Sequence, residues 1–136
     1  MAESRYLLDT NVLSSLLRDP GGSVAQRIAQ QGEATICTSI VVACELRYGV
    51  AKKGSAKLAE RVEGLLESLE VLPLDKEADR RYGEIRFHLE KQGRPIGPND
   101  LLIAAHALAL DLTLVTHNVE EFARVPDLRL EDWLAP

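Results

Sequence analysis

Short apolar runs alternate along this chain with longer segments of helical period. Tyr6-Leu7-Leu8 ends at Asp9-Thr10-Asn11, which predicts a buried strand followed at once by a helix cap. Residues 12–17 read as helix. Asp19-Pro20-Gly21-Gly22-Ser23 is dense turn chemistry, and Ser23 is placed to cap a second helix that runs towards Gln31 and ends at Gly32. Residues 34–38 form the next strand candidate, and Ser39 stands where an N-cap would precede a helix over 40–52. Ser55 is the expected cap of a helix through Leu69, residues 71–74 form a short extended segment, and Asp75 is the expected cap of a helix that stops at Gly93.

Two prolines and a glycine make Arg94-Pro95-Ile96-Gly97-Pro98-Asn99 a loop, one that delivers Asp100 to a helix N-terminus. The helix over 100–110 is apolar on nearly every face, so it belongs at the centre of the molecule. Residues 112–116 are the best strand in the chain, a short helix is expected over 119–122, and residues 128–130 suit a last edge strand. This alternation predicts an α/β domain of three layers (α/β/α) with a mainly parallel central sheet. Ligands in such sheets bind off the carboxyl ends of the strands, where Asp9 and Asn118 are expected.

The 136 residues fit a single domain, 1–136. A composition of 46% hydrophobic and 27% charged residues is that of a soluble globular protein. No apolar run nears the roughly 20 residues that cross a bilayer, and the start lacks the basic and apolar regions of a signal peptide, so a cytoplasmic protein is expected, with no membrane partner. Cys37 and Cys44 lack zinc-type spacing and read as buried free thiols. The net charge of −5 argues against a protein that grips nucleic acid by a broad basic surface. It is compatible with carboxylates gathered at one site around a cation.

Taken singly, Asp9 reads as a helix cap, Asp100 as a favourable charge in a first helical turn, and Glu45 as a solvated residue. Glu45 fits its plain role least well, because Val41, Cys44 and Tyr48 trace the expected apolar stripe of its helix and Glu45 borders it. A carboxylate at the edge of a core needs a partner, and Arg47, two positions on, does not face it. Mg²⁺ is commonly held by one or two carboxylates with water and phosphate oxygens completing an octahedron, so a carboxylate cluster suits one or two such ions.

Four stretches, in order, carry a resemblance that spans nearly the whole chain: Leu7-Leu8-Asp9-Thr10-Asn11; Ser39 with Glu45-Leu46; Pro95-Ile96-Gly97-Pro98-Asn99-Asp100 continuing to Ala107; and Leu114-Val115-Thr116-His117-Asn118 with Glu121-Phe122. A closing Leu130-Glu131-Asp132-Trp133 adds to it. On these residues the chain resembles the PIN-domain family, in particular the VapC-like toxins of bacterial toxin–antitoxin pairs. The resemblance implies endonucleolytic hydrolysis of RNA, transfer RNA among the candidates, by water activated on Mg²⁺ or Mn²⁺, leaving 5′-phosphate and 3′-hydroxyl ends. It also implies a homodimer held inactive by a cognate antitoxin, as a heterotetramer or larger assembly. Carried over by motif, Asp9, Glu45 and Asp100 are the acidic ligands, Thr116 orients the site and Asn11 supports it. Many relatives have Asp where Asn118 stands, which makes Glu121, one turn later, the substitute fourth ligand and favours one well-held metal.

Three other readings fit some of the same residues. His106 and His117 are candidates for a metal-free acid/base pair acting on the RNA 2′-hydroxyl. Asp9 after a first strand is also where an aspartyl-phosphate nucleophile stands, although such enzymes carry a second Asp where this chain has Asn11. A PIN-like binding module that has lost its chemistry is the non-enzymatic reading. For substrate contacts, Lys52, Lys53 and Lys57, and separately Arg80, Arg81, Arg86 and Arg94, are candidates to track phosphates.

Overall fold

The computed structural model describes residues 4–134, so the first residues, on which the signal-peptide expectation rests, lie outside the described residues. Its sheet contains β1 (Tyr6–Leu8), β2 (Ile36–Ser39), β3 (Glu70–Leu72), β4 (Thr113–Val115) and β5 (Leu130–Glu131), in the order β3-β2-β1-β4-β5. Every pairing is parallel; Tyr6 is opposite Ile36 on one side and Thr113 on the other. The helices are α1 (Thr10–Arg18), α2 (Ser23–Gln31), α3 (Ile40–Lys53), α4 (Ala56–Ser68), α5 (Ala78–Lys91), α6 (Pro98–Ala109) and the short α7 (Val119–Phe122).

The chain steps outward from β1 to β2 and β3, then returns to β1's other edge for β4 and β5. Right-handed crossovers in opposite directions put connecting helices on opposite faces, which makes the three-layer α/β architecture. Parallel strands covered on both faces must be apolar throughout, and β1 and β2 are buried at every residue. The strand order reverses between β1 and β4, so a crevice opens at their carboxyl ends. Trp133 closes the core from the far end of the chain, its ring 5.2 Å from that of Tyr6. Among the described residues no helix is long and apolar enough to cross a membrane.

Several local expectations shift. Ala34 and Thr35 belong to a 3-10 turn (Glu33–Thr35), in which the Thr35 hydroxyl donates to the Gly32 carbonyl at 2.8 Å, so β2 begins at Ile36. Ser23 is the first residue of α2 rather than its cap; Gly22 takes that place, its N–H bonded to the Asp19 carbonyl. Asp75 does not cap α5 either. Its carboxylate accepts from the Lys76 N–H and its carbonyl from the Ala78 N–H, forming a turn that leaves Glu77 at φ 80° before the helix.

The apolar stripe of α3 is rotated from the expected one. Val41 is buried, but Cys44 is exposed and Tyr48 is 67% exposed; the buried face runs through Val42, Ala43 and Leu46. Helix α3 packs against α1, α4 and α6 as well as β2, so the face it hides is set by several neighbours at once. The buried-thiol expectation therefore holds for Cys37 and fails for Cys44.

Candidate active site

Asp9 follows β1 directly and caps α1. Its backbone N–H donates to the Val115 carbonyl at 2.9 Å, which ties it to the neighbouring strand β4. One carboxylate oxygen accepts from the Thr10 N–H and the other from the Thr116 hydroxyl, each at 2.8 Å. The side chain is 4% exposed, and both oxygens are oriented before any ligand arrives. Burial raises its pKa, the Thr116 and Thr10 hydrogen bonds oppose that rise, and the charges of Glu45 and Glu121 add to it.

Thr116, fully buried just past β4, uses its hydroxyl twice: it donates to Asp9 and accepts from the Asn118 N–H at 3.0 Å. It is thereby committed to holding Asp9 and the turn after β4. Asn11 accepts from the His117 N–H at 3.2 Å, tying the start of α1 to that same turn.

Glu45 reaches the site from α3, accepting from the Thr10 hydroxyl and, at 3.4 Å, from the Asn99 side-chain amide. The conclusion that it needs partners stands, although the partners lie on α1 and α6 and the expected stripe was the wrong one. Asp100 sits in the first turn of α6, two residues after Pro98 opens the helix. Glu121 on α7 accepts from the Gly97 N–H at 3.0 Å through one oxygen and from the Asn118 amide through the other. A Cβ placed on Gly97 would lie 3.5 Å from an Asp100 oxygen and 3.9 Å from a Glu121 oxygen, so the bare glycine leaves space beside both.

The fold thus brings Asp9, Glu45, Asp100 and Glu121 into one cluster. Asp100 registers the result: partial burial, then the charge of Glu121, that of Asp9, hydrogen bonding of its protonated form to Glu121, and the charge of Glu45 together raise its pKa to about 7. Among the described residues no Lys, Arg or His forms an ion pair with any of the four. As the side chains stand, no group of three or more His, Cys, Asp or Glu among the described residues is arranged to hold a metal ion, so the four acids form a loose cluster. An oxygen-only donor set, half open to water, fits a hard divalent cation that keeps much of its hydration. It lacks the histidine and cysteine donors on which zinc sites are usually built.

The histidines do not meet. His106 is 1% exposed, with Nδ1 at 2.7 Å from the Ser39 hydroxyl, and burial lowers its pKa, while the Pro73 backbone opposes that shift. His117 lies on the surface with Nδ1 at 3.1 Å from Asp132. The metal-free pair is therefore set aside. Sequence reading missed Thr10, Asn99 and the Gly97 N–H as supports. Thr10 and Asn99 each adjoin one of the acids in sequence, and a polar side chain at that position was the available signal.

The family described as PIN domain matches residues 6–128. Over 133 residues the chain is 38% identical to the tRNA(fMet)-specific endonuclease VapC of Shigella flexneri, covering 95% of this chain and 98% of that protein. It is 39% identical over 130 residues to Ribonuclease VapC2 of Rickettsia felis, covering 94% and 97% respectively. Its fold superposes with a TM-score of 0.88, at 38% identity, on a chain of VapBC2 from Rickettsia felis bound to a DNA fragment from their promoter, covering 94% of this chain and 98% of that one.

Proposed function

The chain belongs to the PIN-domain family, and from that membership we propose that it is a VapC-type endoribonuclease that hydrolyses RNA phosphodiester bonds with Mg²⁺ held among Asp9, Glu45, Asp100 and Glu121. The observation that carries the reading is the cluster of four carboxylates, with which no cationic side chain among the described residues forms an ion pair; burial and this crowding raise the pKa of Asp100 to about 7. A bound divalent cation supplies Lewis-acid polarisation of the phosphodiester and a water acidified towards hydroxide.

The side chains divide the remaining work. Asp9, fixed at both oxygens, offers a ligand whose orientation costs little at the moment of binding. Glu45 is held by Thr10 and Asn99, and Glu121 by Gly97 and Asn118, so three of the four acids have dedicated supports. Asn118 supplies no charge; it steers Glu121 into the place that a fourth carboxylate would fill. Asp100, its pKa raised by burial and by Glu121, carries the exchangeable proton of the cluster, which it would give up in order to hold a cation. Thr116 and Asn11 are positioning residues.

The relative from Shigella flexneri makes transfer RNA the first substrate to try, and the VapBC neighbour supports an antitoxin protein as the regulatory partner. A homodimer is part of the same reading. Incubating partner-free protein with end-labelled transfer RNA tests it: cutting in Mg²⁺ that stops in EDTA and in Asp9→Asn is expected, with 5′-phosphate ends. Cutting that survives EDTA, or 2′,3′-cyclic phosphate products, would overturn it.

A further inference from the structure

A groove of about 400 Å³ runs between α1, α3 and α4. Thr10 and Glu45 stand in its wall at one end, and Arg18, Lys53 and Arg61 line it as well. Apolar side chains, among them Leu46 and Val62, make up much of the rest. Arg61 donates to the Leu17 carbonyl, which fixes its guanidinium against α1. Among the described residues none of the three cations has an ion-pair partner, whereas Arg80 and Arg86 are satisfied by Glu77 and Glu90. The two basic clusters seen in the sequence are therefore unequal: one is partly neutralised, and the other sends Lys53 into a groove leading out of the carboxylate cluster.

We propose that this groove seats the single-stranded RNA segment on one side of the scissile bond, with Arg18, Lys53 and Arg61 on its phosphates and the apolar wall beneath riboses and bases. The proposal rests on the ribonuclease reading above. A strand cut at the acidic cluster must leave it along the surface, and in a chain of net charge −5 a path with three cations that, among the described residues, have no carboxylate partner is electrostatically distinct. Lys53 lies two turns and more beyond Glu45 on α3, a rise of about 12 Å. That exceeds the Debye length of about 8 Å at physiological salt, so Lys53 acts on flanking phosphates and hardly on the reacting one.

The test measures anisotropy of a short fluorescein-labelled single-stranded RNA of mixed sequence, in Mg²⁺ over a salt series, with all variants in an Asp9→Asn background. Lys53→Glu and Arg18→Glu should each weaken binding roughly fivefold and flatten the log Kd against log salt slope by about 0.7, the value for one phosphate contact on a single strand. Arg80→Glu should change neither, and Lys53→Gln should show a smaller loss of the same kind. Thermal melts that match the parent exclude misfolding. In the active chain Lys53→Glu should raise KM and spare kcat. Unchanged slopes in both reversals would overturn the proposal, as would a loss confined to kcat or to binding of a partner protein. Failure of the unsubstituted chain to cut RNA would instead count against the ribonuclease reading, because the anisotropy arm reports on the groove without cutting.

Discussion

Replacing Asp100 by Asn should make the metal-free protein more stable while removing its activity. The carboxyl of Asp100 titrates at about 7 in the fold against 3.8 in an unfolded chain. Each unit of difference is about 1.4 kcal/mol, so a fully buried group would lose about 4 kcal/mol on ionising. Asp100 is only half-buried, and solvent screening reduces this to about 1–2 kcal/mol. The sign follows from linkage. A folded pKa above the unfolded one means that the folded state keeps its proton longer, so this contribution is fully present below about pH 4 and is lost as pH rises to about 7. Asn resembles the protonated acid and can still donate to Glu121, without the charge. In EDTA at about pH 8, Asp100→Asn should therefore melt higher by about 3–8 °C, and the difference should vanish near pH 4. Saturating Mg²⁺ should stabilise the unsubstituted chain by about 3 kcal/mol at a hundredfold excess over Kd, and the variant by clearly less. Calorimetry at both pH values, with and without Mg²⁺, reads all four quantities. A variant no more stable than the parent at the higher pH, or an advantage that persists unchanged at the lower, would refute the reasoning.

Three further outcomes are expected. Thr116→Val leaves the Asn118 N–H without its acceptor and Asp9 without its donor in a fully buried place, at a cost of about 1–3 kcal/mol in urea unfolding and a roughly 10–100-fold loss of cutting, with Thr116→Ser restoring most of both. Ser39→Ala removes the cap that accepts from the Val41 N–H and the partner of His106, so a thermal melt should show a loss of about 1–2 kcal/mol. Cys44 should react with a thiol reagent such as DTNB in the native protein; Cys37, buried with its thiol pushed up to about 11, should react only after unfolding, and fast modification of both would contradict the placement.

What the sequence determined by itself is local and repetitive: the apolar run before Asp9, the Ser39 and Ser55 caps, the proline-rich loop before Asp100, and from their order the parallel α/β sheet and the two strand ends where the site lies. Each rests on interactions within a few residues, or on the rule that short buried strands linked by helices pack in one way. The tertiary structure alone decided which face of α3 is buried, because α1, α4, α6, β2 and β3 all pack on it, so the stripe through Cys44 and Tyr48 pointed to solvent. It also decided the fourth corner of the site. Asn118 looked like a missing charge, and in the fold it is the amide that holds Glu121 beside Asp100, while Thr10 and Asn99 do the same for Glu45. The Asn118–Glu121 contact spans one helical turn, but Thr10 and Asn99 meet Glu45, and Gly97 meets Glu121, from far away in sequence, and only the closing of the sheet brings those groups within hydrogen-bond reach.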